Sequence, residues 1–377
     1  MWSSFLFEGQ RHYLCSFCLS FQESGQLWSI IEPTTNIERR ISCPLAVLSR
    51  GNLISTGNLL VIWSKGDIGM NSNTRMSKPS RPTNPDELNA LFKKIFTNES
   101  EERGLAFQPR PTDVIITPFT KCGTTWLQQI AHGLRTRGSM DFEEISTVTP
   151  WIELAYDLGI DLDADQAAEP RVYKSHLSWH DVPRGGRYIV SFRAPSDVFI
   201  SVYRFFEGFF FEPGTIDLDT FFRWRNPPDE MDKRGYWHHL VSWWDQRHNP
   251  DVLLLCYEDM RADLPGTVRR IAAFMEIPLD DELFNIVVLQ ASREFMLEHK
   301  EQFNEAPFRR LISQRVGLPF EGNAYKVTPG ARNDPRYQLT ETHMQALDEI
   351  WQSQVTRRFG LADYAALRSA LQTLQHI

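Results

Sequence analysis

Residues 113–127 read DVIITPFTKCGTTWL. The first five, Asp113 to Thr117, form a β-branched apolar run of the kind that makes a buried parallel strand. From Trp126 to Leu134 apolar residues recur at helical spacing. A strand that turns sharply into a helix leaves the first backbone N–H groups of that helix unpaired. Together with the positive end of the helix dipole, these groups make an anion site. Gly123 lets the backbone approach a phosphate, Lys121 adds a full charge, and the hydroxyls of Thr124 and Thr125 add hydrogen-bonding groups. The run reads as a phosphate cradle. It is not a Walker A loop, because the lysine precedes the glycine and no upstream glycine opens the turn. Its plainer alternative is an ordinary strand-to-helix turn with a surface lysine.

Working outward, further strands are expected at 171–177, 187–192 and 252–257, each ending in polar residues. Helices are expected to open at Pro85 and Pro195, the latter running towards Phe206. Others are expected at 145–158, 217–224, 235–248, 264–275, 281–290 and from 339 to 351. Residues 205–214 read as an aromatic loop and 298–336 as a long irregular stretch. Strands alternating with helices predict an α/β fold, a doubly wound, mostly parallel sheet with helices on both faces. Ligands of such a sheet lie at the carboxyl ends of its strands.

Composition narrows the class. In 377 residues, 42% hydrophobic and 23% charged content are ordinary for a soluble globular chain. The generous 25 Phe and 11 Trp suggest an apolar pocket as well as a core. A formal charge of −8 argues against general nucleic-acid binding. Five scattered cysteines suit a reducing, cytoplasmic setting. Cys15 and Cys18 are formally CxxC, but no second pair follows, so chance spacing is the reading. No run reaches the ~18–20 apolar residues of a membrane span. Residues 1–76 lack sustained periodicity and are expected to be a poorly structured extension, or an over-extended gene model with Met76 the true start. Residues 77–377 are then the functional domain.

Three strand ends deliver chemistry to one edge. The first gives Lys121 and the glycine-threonine turn. The second gives Lys174 and His176, two residues apart and so on one side of an extended chain. The third gives Arg193, with Ser201 on the helix that follows. Singly, each has a plain alternative: a solvated strand end for Lys174, a structural histidine for His176, and an ion pair with Asp197 or Glu207 for Arg193. Jointly, they suit a polyanionic donor and a proton transfer.

From about Pro85 to about Gln354 the sequence resembles the cytosolic sulfotransferases, whose fold is related to P-loop NTPases. Lys121-Cys-Gly-Thr-Thr-Trp126 resembles that family's 5′-phosphosulfate loop, and Lys174-Ser-His176 its catalytic segment. Arg193 and Ser201 match its 3′-phosphate segment, and Tyr257-Glu-Asp-Met260 its YEDM. The resemblance implies 3′-phosphoadenosine 5′-phosphosulfate (PAPS) as co-substrate and no metal. It implies His176 as general base, an imidazole of ordinary pKa about 6.5 being suited to neutral pH. Lys121 and Lys174 would stabilise developing charge. Lys121, Cys122, Gly123, Thr124, Thr125, Trp126, Arg193, Ser201 and Tyr257 would bind the donor.

The sequence also departs from the family pattern. Cys122 stands where serine is usual, Ala194 where asparagine is common, and Ala291-Ser-Arg293 where Thr-Ser-Phe is frequent. The late RKG motif is poorly kept, so Lys326 or Arg332 is expected to replace its 3′-phosphate arginine. Phe205, Phe206, Phe209, Phe210 and Phe211, with Trp151, suggest a flat, lipophilic hydroxyl acceptor, core packing being the alternative for each. A non-catalytic nucleotide binder and a P-loop nucleotide kinase are the competing readings.

Overall fold

The computed structural model describes residues 81–226, 235–318 and 334–375, together with two short strands near the N-terminus. The chain divides into two units, Met1–Thr74 and Arg75–Ile377. In the first, β1 (Ala46–Ser49) and β2 (Asn52–Ser55) pair antiparallel. The rest of the expected 1–76 extension lies outside the described residues, as do Lys326 and Arg332.

The second unit is built on four parallel strands in the order β4-β3-β5-β6: β3 (Val114–Ile116), β4 (Val172–Lys174), β5 (Arg187–Phe192) and β6 (Val252–Cys256). Every residue of β3 and β4 is buried, as expected where both faces are covered. Successive side chains feed opposite cores. Val114, Ile116, Val172, Ile189 and Leu255 join a core with Leu127, Ile130, Val268 and Val287, from helices Thr124–Arg135, Leu264–Phe274 and Asp281–Gln290. The alternating residues Ile115, Tyr173, Tyr188 and Val190 join Leu88, Val198, Trp243 and Ile312 on the other face. There the helices are Pro85–Ile95, Pro195–Phe209, Tyr236–Trp244 and Ala306–Val316. The three-layer α/β architecture follows from the period-two alternation of four short apolar runs.

The first strand of this sheet in sequence, β3, lies between β4 and β5, so the connections leave it in opposite directions. The crevice at its carboxyl end is the switch point where such sheets bind ligands.

Some expectations require correction. A helix over 145–158 does not form. Residues Ile145–Val148 make one turn, the chain extends at Thr149-Pro150, and a 3₁₀ turn follows at Ile152–Leu154. Pro150 lacks an N–H and disfavours helix before it. Its carbonyl instead accepts the Lys174 N–H at 2.8 Å, and Trp151 bridges to Lys174 beside the sheet. The aromatic stretch from Phe205 is helical to Phe209 rather than loop. Helix Ala306–Val316 interrupts the stretch expected to be irregular.

Candidate active site

The turn after β3 has the backbone its sequence demanded. Gly123 caps helix Thr124–Arg135 at φ 101°, a left-handed conformation that L-residues rarely adopt. A Cβ there would also stand 3.1 Å from the Tyr257 ring. Lys121 is left-handed too, at φ 66°. The helix ladder begins with the Leu127 N–H to the Gly123 carbonyl at 3.0 Å, so the N–H groups of Thr124, Thr125 and Trp126 precede it. The neighbouring strand β5 and its end hold the turn. Ser191 Oγ donates to the Cys122 carbonyl at 2.5 Å, and Arg193 Nη1 donates to the Lys121 carbonyl at 3.0 Å. Cys122 faces inward, fully buried, and burial pushes its thiol pKa far up. It can meet a ligand only through its backbone.

Two polar atoms around this turn are buried without a hydrogen-bond partner, Thr124 Oγ1 and Arg193 Nε. Buried polar groups are normally satisfied, so each is suited to meeting an oxygen supplied from outside the protein. Beside them Trp126 and Tyr257 sit edge to face at 5.8 Å, the indole fixed by its N–H to the Ala291 carbonyl at 2.7 Å. The Arg193 guanidinium lies over the Tyr257 ring at 4.5 Å. Its plainer partner, Asp197, is present but at 4.0 Å and largely exposed. Asp197, Ser201 and Phe205 recur at four-residue intervals along helix Pro195–Phe209, placing Ser201 between the arginine's partner and the ring beneath Lys121.

Tyr257 and the acids after it are tied to the far end of the chain. Glu258 accepts from the Ala194 N–H at 3.2 Å and from the Tyr364 hydroxyl at 2.6 Å, and Arg368 pairs with Asp259 at 2.5 Å. Both partners lie on helix Tyr364–Gln375, for which the sequence reading had no helix.

On the other side of the crevice, His176 is half-buried at the end of β4. Its Nδ1 lies 2.8 Å from the Pro118 carbonyl, three residues before Lys121. A carbonyl only accepts, so Nδ1 carries a proton, and in the neutral ring Nε2 holds the lone pair. The imidazole therefore lies beside the loop, in the tautomer a base at Nε2 requires. Its edge meets Trp151 at 5.3 Å.

Contacts continue from there as a chain. Trp151 packs on Phe308 at 5.4 Å, Phe308 stacks on Phe209 at 5.8 Å, and Phe209 stacks on Phe205 at 5.0 Å. Lys121 Nζ then stands over Phe205 at 4.6 Å. The loop lysine and the histidine thus bracket one aromatic wall. Of the other expected acceptor residues, Phe206 and Phe210 pack on Phe92, and Phe211 is fully buried in the core.

Lys174 departs from expectation. Like His176 it reaches Trp151, with Nζ 3.7 Å from the ring centroid, but it is 1% exposed and ion-paired to Glu305. A buried ammonium requires such a partner. Lys174 therefore enters the site as half of a neutral pair, not as an open cation. Glu305 itself sits at φ 57°, left-handed, with its N–H on Glu144 Oε1 at 3.1 Å.

Three contributors escaped the sequence reading: Phe308, Glu305 and Glu153. Glu153 Oε1 accepts the His176 backbone N–H at 2.9 Å, its other oxygen is buried without a partner, and burial raises its pKa. Glu153 thus holds the backbone at His176. The Pro-Trp-Ile-Glu run that carries it gave no sign of this contact. Among the described residues no His, Cys, Asp and Glu cluster has metal-holding geometry.

Comparison with known proteins identifies the family. A model of the sulfotransferase domain matches residues 111–359. An amine sulfotransferase of Oryctolagus cuniculus is 24% identical over 255 residues, covering 66% of this chain and 82% of the relative. Sulfotransferase 2A1 of Rattus norvegicus is 26% identical over 258 residues, covering 66% and 86%. In fold, the chain is similar to retinol dehydratase in complex with androsterone and the inactive cofactor PAP, with a TM-score of 0.53, 18% identity, and coverage of 71% of this chain and 85% of that one. It is also similar to mouse sulfotransferase SULT7A1 complexed with PAP, with a TM-score of 0.52, 19% identity, and coverage of 69% and 90%. The family match spans more than half of the sequence and contains the cradle, the histidine and the arginine. The chain belongs to the sulfotransferase family.

Proposed function

We propose that this sulfotransferase moves a sulfuryl group from PAPS to the hydroxyl, or the amine, of a flat, lipophilic small molecule. The observation that carries the reading is the His176 Nδ1 contact with Pro118, which seats an imidazole of fixed tautomer beside the phosphate-type loop. The unpartnered Thr124 Oγ1 and Arg193 Nε, the bare Gly123 backbone and the Trp126–Tyr257 pair fit a phosphorylated adenosine. That nucleotide supplies the activated sulfuryl group when bound.

The chain's own residues would do the rest. Thr124, Thr125 and the helix N-terminus hold the 5′ oxygens, while Arg193 and Ser201 hold the 3′-phosphate. Trp126 and Tyr257 wall the base. His176 Nε2 takes the proton from the acceptor hydroxyl as its oxygen becomes the nucleophile. Lys121 meets the negative charge left on the departing phosphate oxygen. Lys174 stands at this edge as the ammonium half of its ion pair with Glu305, and Lys326 or Arg332 completes the 3′-phosphate site. Phe205, Phe209, Phe308 and Trp151 face the acceptor, a wall suited to aromatic or polycyclic alcohols. A relative named as an amine sulfotransferase, and the androsterone held by the structurally similar retinol dehydratase, support that acceptor range.

The catalytic domain is proposed to span 77–377 and to work in the cytoplasm. No described helix is long and apolar enough to cross a membrane. The test is transfer of radiolabelled sulfate from PAPS to a panel of phenols, alcohols and amines, with and without a chelator. Labelled product insensitive to the chelator is expected. Nucleotide binding without transfer to any acceptor would instead favour a nucleotide-binding protein, and magnesium-dependent phosphoryl transfer a kinase.

A further inference from the structure

Helix Tyr236–Trp244 works on two sides. Inward, the Tyr236 hydroxyl donates to the Arg193 carbonyl at 2.6 Å and His239 Nε2 donates to the Thr117 carbonyl at 2.9 Å, so this side supports the donor crevice. On the other side, His238, Val241 and Ser242 line a separate cavity of ≈ 300 Å³. His180, from the segment after β4, closes one flank. The other is a π-helical turn, Gln352–Thr356, running into Arg357–Phe359. Single π turns are rare and recur at functional sites. This one brings Ser353, Gln354, Arg357 and Arg358 to the same cavity wall.

The lining has one sign. Two guanidinium groups, two imidazoles 5.3 Å apart and an amide converge, the Ser242 and Ser353 hydroxyls donate to backbone carbonyls, and none of the lining residues is acidic. The carboxylate at its edge, Asp245, is engaged by Arg358. Asp181 is turned to the Ser178 hydroxyl at 2.6 Å. Guanidinium groups donate and never accept, so the complementary ligand offers several acceptor oxygens and negative charge. The volume is at the small end of ligand pockets, which run from about 300 to 1,000 Å³.

We propose that this cavity is a second anion site, taking a tetrahedral oxyanion either as free sulfate or phosphate or as the end group of a sulfate ester. The ester case rests on the sulfuryl-transfer reading; the oxyanion chemistry does not.

The experiment uses the full chain with adenosine 3′,5′-bisphosphate saturating the donor crevice, after its own titration has shown that it binds. Sodium sulfate, sodium phosphate and 4-nitrophenyl sulfate are then titrated calorimetrically at constant ionic strength set with chloride. Saturable binding is expected in at least one arm, weakened on the order of tenfold or more by Arg357→Gln and by His238→Gln. Arg357 is exposed, so its variant is expected to fold and to keep its sulfate-transfer rate. Binding of the inorganic ions assigns a free-oxyanion site, and binding of the ester alone assigns the product class. No saturable binding in any arm, or equal binding by wild type and Arg357→Gln, overturns the proposal. Should the bisphosphate fail to bind, the donor reading falls, and the same titrations in an Arg193→Ala background still decide the cavity.

Discussion

The two sides of the crevice are made by different means. The loop side is local: one strand, one turn and one helix N-terminus hold Lys121, Gly123, Thr124 and Trp126 within six consecutive residues. The histidine side is assembled from distant segments. Trp151 and Glu153 come from a broken turn, His176 from a strand end, Phe205 and Phe209 from one helix, and Glu305 and Phe308 from the entry of another. A local cradle is fixed by backbone conformation, while a wall of rings is fixed by packing. The first suits an invariant nucleotide, and the second can be re-cut for different acceptors without touching the donor.

That contrast can be broken or sharpened by mutation. The largest effect is expected from His176→Ala, which should lower turnover by about 10²–10⁴-fold, the usual worth of a general base. Its affinity for adenosine 3′,5′-bisphosphate should remain unchanged in calorimetry. Weakened nucleotide binding in that variant would show that the two sides are one unit. The mirror variant, Arg193→Ala, should weaken nucleotide binding by about 10–100-fold through lost charge-assisted bonds, with the acceptor KM little changed.

A smaller effect comes from acid. His239, beneath the loop, and His132, on the following helix, are held neutral by burial, with pKa values lowered to about 3 and about 4. Between those values and the unfolded value near 6.5, unfolding takes up protons, so stability is full above about pH 6.5 and is lost as pH falls. Each imidazole should cost about 1.4 kcal/mol per pH unit across that window. Urea unfolding at pH 7 and pH 5 should show it, and His239→Gln should flatten the slope. An unchanged slope in the variant would mean that His239 is protonated in the fold. The smallest effect is expected from Cys122→Ser. With the side chain buried and only the backbone facing the turn, donor KM should stay within about twofold, while the buried hydroxyl costs about 1–3 kcal/mol of stability, read from the urea midpoint.

The same contrast explains what was legible. The four strand runs, the switch-point crevice and the Lys121–Trp126 turn are written in short, contiguous patterns whose physics is local. So are the polar strand ends at His176 and Arg193. The 145–158 region misled because its apolar spacing outweighed Pro150, whose missing N–H ends the helix and sends Trp151 to the sheet. Lys174 reads as an open cation because nothing in its neighbourhood announces Glu305, which lies 131 residues away. Phe308 and Glu153 are equally silent. Long-range packing alone gives an ordinary phenylalanine or glutamate its place in the site, and no window of sequence contains that information.

The tie between Glu258, Asp259 and helix Tyr364–Gln375 has a consequence for biosynthesis. A ribosome releases the cradle, the imidazole and the arginine long before it releases Tyr364 and Arg368. Until those residues emerge, Glu258 has only the Ala194 N–H and Asp259 lacks its arginine, so the wall against Gly123 is only partly backed. Competence to hold nucleotide should therefore arrive late on the nascent chain, with helix Tyr364–Gln375, even though the Lys121–Trp126 turn is among the earliest parts of the sheet to be made.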